Sequence, residues 1–274
     1  MQGSLGEKIS EGVSADVHAW APGQVVKLFK SGVSPRLSRH EARMTGVMFA
    51  AGAPAPEVFG EVTLEGRFGI VMQRFDGPTL LQLTRNGAVT REQAGAILAA
   101  LGLSVHSIPP PPGMLSLRDW VNAWLEGGAS LLPIHIVTGI RALIERLSPG
   151  GALCHGDVHP GNVIMTTEGP RLIDWMGPVR APAAFDLAVS HICLTELGPE
   201  VSDDPERPRA VNAALQSEYA RLTGLSPSTL TAAIEPYLPI VRVLIVIGGA
   251  MPAMHERLLQ RVDAALRDAQ LARA

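Results

Sequence analysis

Leu153-Cys154-His155-Gly156-Asp157-Val158-His159-Pro160-Gly161-Asn162-Val163-Ile164-Met165 joins two apolar, strand-like runs through a polar loop. Asp157 opens the loop, Asn162 closes it five positions later, and Pro160 and Gly161 end any regular structure between them. Twelve residues beyond Asn162, the run Arg171-Leu172-Ile173-Asp174-Trp175 sets an acid at the end of a second apolar strand. A turn at Glu168-Gly169-Pro170 predicts that the two strands form a hairpin, which returns Asp174 to the side of the loop. These residue types are the inventory of phosphoryl transfer. The transferring group spreads negative charge that Mg²⁺ neutralises, and Mg²⁺ takes hard oxygen ligands. Asp174 and Asn162 supply such oxygens, and Asp157 is the carboxylate that can take a proton from an acceptor hydroxyl.

Upstream, the chain reads as strands around one helix. Val13, Ala15, Val17 and Ala19 alternate with polar residues, and Gln24-Val25-Val26-Lys27-Leu28-Phe29 is rich in β-formers. Ser38-Arg39-His40-Glu41 fits a capping box, followed by an apolar stripe at Met44, Val47, Met48 and Ala51. Val58–Val62 and Phe68–Met72 predict a hairpin around Glu65-Gly66. Beyond Asp76-Gly77-Pro78 the pattern turns helical. Thr90-Arg91-Glu92-Gln93 is a second capping box, helices are expected at 117–125 and 134–147, and the chain from Phe185 onward reads as helical. The fold class is therefore α+β. A small β-rich N-terminal lobe over residues 1–75 precedes a larger, mainly helical C-terminal lobe over 76–274, which predicts a cleft between them.

Composition narrows the class. The 274 residues are 46% hydrophobic and 18% charged, enough for a full core and too apolar for a disordered chain. A net charge of -3 gives no field that gathers nucleic acid or an anionic membrane. Two cysteines, Cys154 and Cys193, cannot make a disulfide framework, so a cytoplasmic location is expected. The N-terminus MQGSLGEKIS shows no signal-peptide pattern. The apolar run 243–254 is too short to span a bilayer and is read as a buried helix.

His155-x-Asp157-x-x-x-x-Asn162 followed by Ile173-Asp174-Trp175 resembles the signature of the aminoglycoside phosphotransferase and choline kinase-like family. These are small-molecule relatives of the protein kinases. The resemblance implies a two-lobed protein-kinase-like fold and transfer of the γ-phosphoryl group of ATP, or GTP, to a hydroxyl of a small molecule. It implies Asp157 as catalytic base, with Asn162 and Asp174 as Mg²⁺ ligands. It implies Lys27 as the lysine that holds the nucleotide phosphates and Glu41 as its helix partner. Met72, Gln73 and Phe75 would fall in the segment that meets the adenine, and Asp186 would be a structural acid. The loop Gly6–Ser14 departs from the G-x-G-x-x-G form, and the C-terminus Gln270-Leu271-Ala272-Arg273-Ala274 lacks the acidic end common among aminoglycoside-modifying members.

Plainer readings accompany several residues. His155 and His159 are a weak zinc signal, and His155 is expected to brace the loop through backbone. Cys154 is read as a packed thiol. The acidic stretch Glu196, Glu200, Asp203, Asp204 and Glu206 reads as a solvated loop, or else as a patch that draws in a cationic acceptor. The eleven residues between Asp174 and Asp186 are too few for a peptide-docking activation segment, which disfavours a protein kinase. A non-catalytic nucleotide-binding pseudokinase that regulates a protein partner is the alternative class.

Overall fold

A computed structural model describes residues 5–271. Met1–Ser4 and Ala272–Ala274, on which the N-terminal and C-terminal readings partly rest, lie outside the described residues. Two compact units form. The first runs to Ala88 and takes up Pro160–Pro178; the second comprises Val89–His159 and the chain from Val179.

In the first unit, β1 (Lys8–Glu11), β2 (Ala15–Ala21), β3 (Gln24–Phe29), β4 (Val58–Leu64) and β5 (Arg67–Gln73) make one antiparallel sheet in the order β1-β2-β3-β5-β4. The alternation in β3 puts Val25, Lys27 and Phe29 on one face. Val25 and Phe29 pack there with Ala15, Ala42, Ile70 and Met72, and Val58 and Met176 close over them. Burying each large apolar side chain in such a cluster is worth about 1.5–3 kcal/mol. Lys27 emerges between Val25 and Phe29 on this face, and its ammonium lies 5.6 Å from the Phe29 ring centroid.

The helix α1 (Pro35–Ala50) starts earlier than its sequence pattern predicts. Ser34 is the N-cap, accepting from the Arg36 N–H, and Pro35 opens the first turn. Proline is pre-organised for that position and needs no donor there, so Ser34-Pro35 outcompetes the box at Ser38. Ser38 is buried instead and donates to the Pro35 carbonyl at 3.0 Å. Glu41 thus stands in the middle of α1, relieved of any capping duty.

The predicted hairpin is a two-stranded ribbon of Val163–Thr166 and Gly169–Leu172. Backbone bonds from Leu172 N–H to the Pro54 carbonyl and from Met165 N–H to the Pro78 carbonyl, each 2.9 Å, sew it to the first unit. Gly77 is required there. At φ 150° a Cβ on it would lie 2.0 Å from the Met165 carbonyl oxygen. A short helix, α2 (Leu80–Arg85), follows with its own Thr79–Gln82 capping box.

The second unit is helical. α3 (Arg91–His106) begins at the predicted Thr90–Gln93 box, and α4 (Leu117–Gly128) and α5 (Ile134–Ile144) follow. Ala152–Cys154 pairs antiparallel with Val179–Ala181. Then come α6 (Ala183–Ile192), a π-helical turn (Cys193–Leu197), α7 (Gly198–Val201), α8 (Glu206–Thr223), α9 (Pro227–Ile234), α10 (Leu238–Ile247) and α11 (His255–Leu271). Gly95 lets α3 and α8 touch, since a Cβ there would sit 2.4 Å from that of Ala214. Phe185 sets its ring edge-on to Trp120 and Tyr237.

Two sequence expectations change here. The run 243–254 is not one helix: α10 ends at Ile247, Gly248 and Gly249 break it, and Pro252 starts a 3₁₀ turn. The stretch Pro227–Ile247 is long and apolar enough to cross a bilayer by length and composition, and half of it is buried inside the unit. The acidic stretch is not a bare solvated loop either. Glu196 is buried and held by Arg242 at 2.7 Å and Arg261 at 3.0 Å. Glu200 pairs with Arg257, Asp203 with Arg207, Asp204 with Arg91 and Glu206 with Arg209. Each carboxylate faces a guanidinium, so the stretch presents little of the negative field its sequence suggests.

Candidate active site

Lys27 is the hub of the first unit's polar cluster. Its Nζ donates to Glu41 Oε1 at 2.6 Å and to Asp174 Oδ1 at 3.1 Å. Strand β3, helix α1 and the chain just after the ribbon thereby meet in one triad. Burial works against the ammonium, but the charges of Asp174 and Glu41 outweigh it and hold the Lys27 pKa above its ordinary value. Burial pushes the Glu41 carboxyl up to about 7 against the pull of Lys27. Glu41 is 2% exposed, and its Oε2 has no hydrogen-bond partner among the described residues.

Asn162 and Asp174 stand at one end of the ribbon. The Val163–Leu172 pair ends it, and one step outward the Ile173 N–H donates to the Asn162 carbonyl at 2.9 Å. Asp174 follows directly with φ 66°, a left-handed conformation rare for a residue with a Cβ. The Met176 N–H bonds back to the Asp174 carbonyl at 2.9 Å, and Trp175, fully buried, donates from Nε1 to the Leu172 carbonyl. His40 Nε2 lies 3.1 Å from the Met176 carbonyl, which fastens α1 to this turn. A carboxylate and a side-chain amide at one ribbon end form a hard-oxygen donor set suited to Mg²⁺. Asp174 Oδ2 carries no protein hydrogen bond among the described residues, and its side chain is 40% exposed.

Met72, Gln73 and Phe75 lie on and just after β5. Met72 packs into the sheet core. The Gln73 N–H is taken by the Glu57 carbonyl at 2.8 Å, and Arg171 places its guanidinium 5.8 Å from the Phe75 ring centroid.

Asp157 belongs to the second unit, on a loop gripped by α6. Asp186 accepts from the His155 N–H at 2.8 Å, the Gly156 N–H at 2.7 Å and His106 Nε2 at 3.1 Å. Burial raises the Asp186 pKa, but the hydrogen bond and charge of His106, with His155 and the Gly156 N–H, outweigh it and bring the carboxyl below its ordinary value. His106 also meets the Tyr219 hydroxyl at 2.9 Å through Nδ1. His155 is fully buried, and its Nδ1 accepts from the Asp157 N–H at 3.1 Å, the bracing role expected of it. The Asp157 carboxylate lies 3.7 Å from His159 Nε2 through Oδ2 and 3.8 Å from Cys193 Sγ through Oδ1.

His106, Cys154 and Asp186 lie close enough together to suggest a metal. Both His106 nitrogens are already engaged, however, and burial pushes the Cys154 thiol well above its ordinary pKa, so it stays protonated. His40, His106, Tyr219 and Cys193 escape the sequence reading. Their partners are 136, 80, 113 and 36 positions away, beyond the reach of any local pattern.

The chain matches the phosphotransferase enzyme family over residues 6–225. No curated protein sequence matches it. Among solved structures, it is similar to an aminoglycoside-3'-phosphotransferase of type VIII, with 22% identity and a TM-score of 0.63 over 90% of this chain and 93% of that one. A choline kinase from Cryptosporidium parvum Iowa II is 14% identical, with a TM-score of 0.58 over 97% and 87%. A streptomycin–ATP–APH(2")-IIa ternary complex is 17% identical, with a TM-score of 0.54 over 94% and 90%. These likenesses share the two-lobed protein-kinase-like α+β fold.

Proposed function

Given that the chain belongs to the phosphotransferase enzyme family, we propose that it transfers the γ-phosphoryl group of ATP or GTP to a hydroxyl of a small molecule. The observation that carries this reading is the Lys27–Glu41–Asp174 triad, which ties a strand lysine to a helix glutamate and a ribbon-end aspartate. Lys27 would hold the nucleotide phosphates, with Glu41 fixing the ammonium from behind. The backbone around Gln73 and Phe75, beside Met72, would meet the base. Asp174 and Asn162 would hold Mg²⁺, which when bound would neutralise charge on the transferring phosphoryl oxygens. Asp157, whose N–H is anchored on His155, would orient the acceptor hydroxyl and take its proton.

The relatives span aminoglycoside and choline kinases, so the acceptor is a hydroxylated small molecule of open identity. Arginine pairing along the acidic stretch removes the argument for a polycationic acceptor from charge alone. Neutral sugars and polyols therefore belong in the screen beside aminoglycosides and amino alcohols. The test is calorimetry of ATP and GTP, with and without Mg²⁺, on wild type and Asp174→Ala. Binding that needs Mg²⁺ and disappears in the variant is expected. Equal binding by both proteins would remove Asp174 from the metal site, and no binding of either nucleotide to folded wild type would overturn the reading.

A further inference from the structure

The face of α6 and its π-helical continuation touches the Asp157 loop at three positions spaced i, i+4 and i+7. Asp186 holds the backbone N–H groups of His155 and Gly156. Ser190 donates from Oγ to the Val158 carbonyl at 2.7 Å. Cys193 reaches the Asp157 side chain itself, Sγ to Oδ1 at 3.8 Å. The helix widens at this third position: the Cys193 carbonyl accepts from the Gly198 N–H, five residues on. Such single π turns recur where a helix serves a site.

We propose that Cys193 is a positioning residue for Asp157: its S–H donates to Oδ1 and fixes which oxygen of the carboxylate is turned to the acceptor. The role rests on the assignment of Asp157 as base. Asp186 and Ser190 hold the backbone of the loop, and Cys193 meets the Asp157 side chain itself. A thiol suits this place because it stays protonated beside a carboxylate. Burial first, and the Asp157 charge second, push it well above its ordinary pKa. The S–H is a weak hydrogen-bond donor, and it orients the carboxylate without bringing a charge of its own. His159, facing Oδ2, and His155, below the Asp157 N–H, are the titratable groups of the loop around the same carboxylate.

The coupling is reciprocal, so it can be read from the thiol without knowing the acceptor. Iodoacetamide alkylation of Cys193, followed by peptide mass spectrometry from pH 8 to 10.5, avoids the ordinary imidazole range. Asp157→Asn removes the charge, so the apparent thiol pKa should fall by roughly half to one unit and the rate at pH 8.5 should rise about 3- to 10-fold. An unchanged titration would overturn the contact while leaving the base assignment intact. Turnover is read as ADP release from Mg²⁺·ATP with water as acceptor. Cys193→Ala should lower kcat about 3- to 10-fold at unchanged KM for ATP, and Cys193→Ser, which keeps a donor, should recover most of the loss. Equal losses in both variants would assign Cys193 to packing and overturn its positioning role. Wild-type turnover in Asp157→Asn would instead remove the base assignment, and the role of Cys193 with it.

Discussion

Asp157 holds one carboxylate oxygen near a thiol and the other near an imidazole. Nothing in the first unit's triad duplicates the proton-accepting role proposed for Asp157, because Asp174 is bound to Lys27 and Glu41 is buried behind it. Asp157→Ala should therefore lose about 10²–10⁴-fold in kcat with the acceptor found by screening, while nucleotide affinity by calorimetry stays near wild type. Full turnover would sink its role. At this scale, the candidate residues could be singled out because the loop and hairpin that carry them fix their types and spacing. Glu41 was only half legible. Ser38-x-x-Glu41 imitates a capping box, and only the competing Ser34-Pro35 start shows that Glu41 faces Lys27.

Helix α6 is the element that organises the loop. Asp186 lies fully inside the protein and satisfies two backbone donors and an imidazole. Asp186→Asn would turn a donating amide toward at least one of those donors, at a cost of about 3 kcal/mol measured by urea unfolding at pH 7. The sign of its pH dependence follows from linkage. Its folded pKa lies below the ordinary 3.8, so the stabilisation is complete above that value and fades as pH falls through the folded one. The gap between wild type and Asp186→Asn should stay level from pH 7 to 5 and narrow below about pH 4. A constant gap down to pH 2.5 would contradict that account. Elements with strong local signals, such as β3 and the Thr90 cap of α3, matched their sequence patterns. The acidic stretch did not, because Arg91, Arg242, Arg257 and Arg261 that neutralise it come from α3, α10 and α11.

For the whole molecule, the main fact is that the first unit is discontinuous along the chain. Pro160–Pro178 supplies it with the ribbon, the buried Trp175, the core contact of Met176 and the third member of the triad. A fragment of residues 1–88 should therefore fail to fold. Its circular dichroism should show strand content without a cooperative thermal transition, and a sharp transition would show that the sheet and α1 are enough. The α+β class and the order of elements could be read from periodicity and turn residues. The return of the chain to its first unit could not, since it depends on backbone bonds to Pro54 and Pro78, about a hundred residues upstream.

That discontinuity has a consequence for how the protein is made. A ribosome emits the sheet and α1 first, yet the segment that completes their core ends at Pro178, 90 residues after Ala88. At about 5–20 residues per second, this is a delay of roughly 5–20 s. Over that interval the nascent sheet carries an uncovered apolar face and a lysine that still lacks its Asp174 partner, a state that favours chaperone capture and penalises fast translation of the intervening helices.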